Sequence, residues 1–249
     1  MLSDLPFHLR RGLTGPVQQS PVTCGSAALT VARMLTSPEF ARWIISGLDP
    51  KGGPPDSRSE RERFAEHEGA VMKRTNGFRG GPGAGAQWNM PWPQAFGTPP
   101  WGAARELEDD AACSGAAYAM RLIRLGSTVA LRDVHRDLVV RVRGGLPALL
   151  YVGNVWAPRH VTLVLPGSGQ DGGGVSPDGQ GDGPALGDGS AARAGLDVDD
   201  PPTGSVAELD VYDPATGSVT ELVPELFAGR ALGIAGWDVP WITVQPRQP

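Results

Sequence analysis

Gln18-Gln19-Ser20-Pro21-Val22-Thr23-Cys24-Gly25-Ser26-Ala27-Ala28-Leu29-Thr30-Val31-Ala32-Arg33-Met34-Leu35 is the stretch on which the reading of this chain turns. Ser20-Pro21 makes a turn, and from Ser26 onward Ala27, Ala28, Val31, Ala32, Met34 and Leu35 recur at helical spacing, which predicts a buried, rigid helix. Cys24 stands at its start. A thiol attacks only as thiolate, and the unpaired N–H groups and positive end of a helix favour that form. Cys24 is therefore the candidate nucleophile, with Gly25 beside it keeping the approach open. Gln18 reaches the same site if the intervening segment turns back. Its carboxamide would then donate to a developing oxyanion together with the Cys24 backbone N–H.

Two further residues complete a nucleophile–base–orienter set. Leu146 to Asn154 and His160-Val161-Thr162-Leu163-Val164-Leu165 read as two adjacent strands of a hairpin, with His160 at the mouth of the second. Val206 to Tyr212 alternates like a strand and runs into the turn Asp213-Pro214-Ala215-Thr216-Gly217. An Asp213 carboxylate there would accept the histidine Nδ1–H and steady the imidazolium, with Asp210 as the fallback.

The Gln-x5-Cys-Gly opening followed by Ala-Ala-Leu, the histidine heading an apolar strand and the later strand-Asp-Pro resemble the papain-like cysteine peptidases. Among these, they are most similar to the bacteriocin-processing family that cleaves double-glycine leaders. Thr23 departs from that family, which often has Asp before its cysteine, and a long insert replaces a short turn between the histidine and aspartate strands. The resemblance implies an α+β papain-like fold as one domain over residues 1–249. A helical half (about 15–143) would pack on a C-terminal antiparallel sheet (about 144–245), with the cleft between them. It also implies hydrolysis of a peptide bond, with a peptide or protein as partner. Deamidases and transglutaminases share this triad, and a catalytically silent peptide-binding module on the same fold is the reading from another class.

The rest of the chain sets the boundaries. With 249 residues, 40% of them hydrophobic, it can bury a full core. A net charge of −5 gives no broad attraction to nucleic acid or an anionic membrane. No apolar run has the length of a secretory signal or membrane span, so a cytoplasmic location is expected. The two cysteines make no disulfide framework, and no metal-ligand spacing occurs, so neither metal nor organic cofactor is expected. Cys113, among alanines, reads as core filler.

Helices are predicted over 36–48, with Ser37 as N-cap, and over 59–68, 103–124 and 131–143; a last strand is predicted over 237–244. His67 and His135 are read as exposed. The Gly/Pro/Trp loop from Asn76 to Trp101 makes Trp88 and Trp92, with Trp156, candidates for a substrate groove. Residues 166–205 are Gly/Asp-rich low complexity and read as a disordered insertion in the sheet.

Overall fold

A computed structural model describes residues 7–49, 51–76, 92–93, 96–111, 116–142, 145–166 and 208–247. In chain order these form α1 (Cys24–Thr36), α2 (Pro38–Ser46), α3 (Glu60–Asn76) and α4 (Pro100–Glu106), which runs into a π turn at Leu107–Ala111. Then come β1 (Tyr118–Leu122), α5 (Thr128–Val142), β2 (Ala148–Gly153), β3 (Pro158–Pro166), β4 (Leu209–Tyr212), β5 (Val219–Glu221), α6 (Pro224–Gly229) and β6 (Val239–Pro246). The strands make one antiparallel sheet in the order β1-β6-β2-β3-β4-β5. The class is α+β.

Because strand side chains alternate, β2 and β3 feed two cores. Leu149, Tyr151, Val161 and Leu163 pack with Ala28 and Leu29 of α1 and Phe64 of α3. Leu150, Val152 and Val164 pack with Leu131 and Leu138 of α5 and Phe227 of α6. Helices therefore cover both faces of the sheet. α5 lies within the predicted helical half, yet it covers the face away from α1.

Local signals set several boundaries. Ser37 Oγ accepts from the Phe40 N–H at 3.3 Å, and Gly47 at φ 73° closes α2. Residues 103–124, predicted to be one helix, divide instead between α4 with its π turn and strand β1, which pairs Tyr118 with Pro246 through Leu122 with Ile242. A non-local partner, β6, overrides the helical preference of the alanines before it. His135, read as exposed, is buried and its Nε2 lies 2.8 Å from the Leu222 carbonyl oxygen. His67 is half-buried rather than solvated: its ring faces Thr30 Oγ1 and Arg33 Nη1 and packs 4.6 Å from the Phe40 ring. Cys113, Trp88 and, apart from Pro166, the expected insertion lie outside the described residues. No helix among the described residues is long and apolar enough to cross a membrane.

Candidate active site

Cys24 is the first residue of α1 and a free, buried thiol. The N-cap residue Thr23 makes no side-chain cap bond and the first turn holds no acidic residue. No side chain of its own thus neutralises the positive end of this helix beside the sulfur.

β3 brings His160 to the thiol, and the turn after β4 brings Asp213 to His160. The His160 Nε2 lies 2.7 Å from Asp213 Oδ1, and the Cys24 thiol is the ring's other hydrogen-bond partner. This corrects the expected ring orientation, which had Nδ1 facing the carboxylate. The carboxylate holds Nε2, so Nδ1 is the nitrogen left for sulfur; which edge of the ring faces the acid depends on how two distant strands meet.

Asp213 is itself held. Oδ1 also accepts from the Ala215 N–H at 2.9 Å, and Oδ2 from the Thr216 hydroxyl at 3.1 Å. The Asp-Pro turn thus has a local structural role and a long-range one at once. Burial alone would lower the His160 pKa, but hydrogen bonds and charge from Asp213 and Cys24 outweigh it and raise it to about 9. Burial would raise Asp213, but His160 and the turn donors hold it below its usual value. The fallback, Asp210, is buried elsewhere and pairs with Arg11 at 3.0 Å.

The N-terminal segment straps Gln18 to the same corner. Arg11 pairs with Asp210, Glu208 and Glu221, and the Gly15 N–H donates to Gly217 O at 2.8 Å. A side chain on Gly217 could not be accommodated: its Cβ would lie 2.5 Å from Gly15 O, at φ +74°. The Gln18 N–H then donates to Pro214 O at 2.8 Å, next to Asp213. The Gln18 Nε2 donates one N–H to Ser20 O at 2.9 Å; a carboxamide has a second to give.

The groove candidates fare differently. Gly25 is buried, and a Cβ there would come within 2.6 Å of Thr98 Cβ, so the glycine admits Thr98 rather than a substrate. Trp92 is turned inward: its ring stacks edge-on with Trp101 and Tyr151, and Nε1 donates to Gly97 O at 3.1 Å. It braces the segment that packs on Cys24. Trp156 is 84% exposed at the tip of the β2–β3 turn. A cleft of about 450 Å³ adjoins Gln18 and lies between Pro16–Gln19 and the start of α3, at Glu60, Arg61 and Phe64; none of the three groove candidates described lines it.

Sequence reasoning missed Gly97, Thr98 and Glu68. A Cβ on Gly97 would sit 3.2 Å from the Cys24 sulfur, and Thr98 O accepts from the buried Tyr151 hydroxyl at 2.9 Å. The approach of this loop to Cys24 leaves no local trace in the sequence. Glu68 does leave one, since Phe64, Glu68, Val71 and Thr75 fall on one buried face of α3. Comparison with protein-family models, curated proteins and solved structures finds no match to this chain.

Proposed function

We propose that the chain is a papain-like cysteine peptidase. The observation that carries the reading is the Cys24–His160–Asp213 line, with imidazole between the thiol and a carboxylate that is itself held by Ala215 and Thr216. In this mechanism His160 takes the Cys24 proton and the sulfur attacks the amide carbonyl carbon. The oxyanion accepts from the Cys24 backbone N–H and the Gln18 carboxamide. The C–N bond breaks, the leaving amine takes the proton from His160, and a thioester remains on Cys24. Water gives a proton to the same imidazole and attacks the thioester carbon; the C–S bond breaks, the acid leaves, and the proton on His160 returns to the Cys24 sulfur. Asp213 holds the ring and stabilises its charged form throughout.

The test is incubation of the protein with a mixture of unmodified peptides, followed by mass analysis of products beside Cys24→Ala. New termini that need Cys24 are expected. Conversion of glutamine to glutamate without cleavage would make the protein a deamidase, and new amine cross-links a transglutaminase. No Cys24-dependent product at all would favour a silent binding module.

A further inference from the structure

Glu68 lies on α3 and is 1% exposed. A buried carboxylate is costly unless it is well hydrogen-bonded, so its partners indicate what it holds. Both of its oxygens lie 3.2 Å from the Gln19 N–H. The Thr23 hydroxyl also faces it, and the single hydroxyl proton is shared between Glu68 and Ser20 O, 2.8 Å away. Gln19 directly follows the oxyanion candidate Gln18, and Thr23 directly precedes the nucleophile Cys24. The carboxylate thus ties together the two ends of the loop that carries both groups. The Ser20 N–H, 3.2 Å from Thr23 Oγ1, tightens the same turn from within.

We propose that Glu68 is a positioning residue for the oxyanion site: it fixes the distance between the Gln18 carboxamide and the Cys24 N–H. The assignment rests on the peptidase reading and goes beyond it. Burial favours the neutral form of Glu68 while Thr23 and Gln19 favour the carboxylate, and the net result is a raised pKa. The loop contacts are those of an acceptor.

Two small probes separate oxyanion support from thiol reactivity. p-Nitrophenyl acetate acylates a cysteine through a tetrahedral oxyanion: the C–S bond forms and nitrophenolate departs. Iodoacetamide alkylates by displacing iodide at carbon and forms no oxyanion. In Glu68→Ala, Cys24 acylation should fall at least about tenfold, toward the ~10²–10³ that follows loss of an oxyanion donor. Alkylation should stay within about threefold of wild type, because the His160 side of the site is untouched. Glu68→Gln, whose carboxamide oxygen still accepts from Gln19, should restore acylation to within about threefold of wild type. If Glu68→Ala does not give a wild-type circular dichroism spectrum, Glu68→Asp replaces it and should show the same selective loss. Equal rates with wild type on both probes, or an equal fall on both in a folded variant, would overturn the assignment. A wild-type protein that the ester does not acylate at Cys24 would take down the peptidase reading and the assignment together; an acylated wild type beside an unaffected variant removes the assignment alone.

Discussion

Gly97 lies against the sulfur of Cys24, at a distance where a Cβ would be 3.2 Å from Sγ, and it holds φ +73°. Only glycine takes that backbone conformation freely, so Gly97→Ala adds strain of about 1–2 kcal/mol and crowds the thiol. The expected outcome is a lower melting temperature together with slower alkylation of Cys24 at every pH. Unchanged alkylation would show that this segment stands clear of the thiol in solution.

Gly25 and Thr98 form a second close contact. The Cβ of Gly25→Ala would meet Thr98 Cβ at 2.6 Å and Thr98 Oγ1 at 2.7 Å. Overpacking of this kind costs about 1–3 kcal/mol. Thr98→Gly should recover a large share of the loss caused by Gly25→Ala, and denaturant unfolding of the double-mutant cycle measures the coupling. Additive effects would mean that the clash is relieved by movement of α1.

The His160–Asp213 pair makes stability depend on pH. The His160 pKa is raised from 6.5 to about 9, so its contribution is complete below pH 6.5 and is lost as pH rises through about 9. At about 1.4 kcal/mol per pH unit, this amounts to on the order of 3 kcal/mol. Asp213 is depressed, so its share is present above its usual value of 3.8 and is lost as pH falls through the folded-state value. His67 acts in the opposite sense to His160. Its pKa is lowered to about 3, chiefly by burial and then by the neighbouring Arg33 and Arg74 charges, so it destabilises the fold progressively as pH falls below 6.5. Denaturant unfolding at pH 6.5 and pH 9 should show a loss that His160→Ala abolishes.

Asp213→Asn keeps an oxygen for the imidazole N–H but removes the charge. The His160 pKa should then fall from about 9 toward 6.5, and proton NMR of the imidazole measures it directly. Asp213→Ala removes the acceptor as well and should slow acylation of Cys24 further, within the ~10²–10⁴ range of general acid–base assistance. An unmoved His160 pKa in Asp213→Asn would place the source of its shift elsewhere.

The parts of the site legible in the sequence were those with a local signature. Cys24 announces itself as the first residue of an apolar helix, His160 as the head of an apolar strand, and Asp213 as the start of a turn. The parts that stayed hidden depend on distant partners. β1 is a strand because β6 lies beside it, although the alanines before it favour helix. The imidazole orientation follows from the meeting of β3 and β4, and Gly97 reaches Cys24 from a loop more than seventy residues away in sequence. His135 lay between these cases: its charged neighbours suggested solvent, but the spacing Leu131, Val134, His135, Leu138, Val142 is one buried helix face. Glu68 is of the same kind, a charged residue placed by period rather than by polarity.

Whether His160 activates Cys24 is read by limiting iodoacetamide across about pH 5 to about pH 9, with the modified cysteine identified by peptide mass. In wild type Cys24 should react far faster than Cys113 below pH 7, and His160→Ala should remove this advantage. Equal reactivity of the two cysteines in wild type, or an advantage that survives in His160→Ala, would contradict activation by His160.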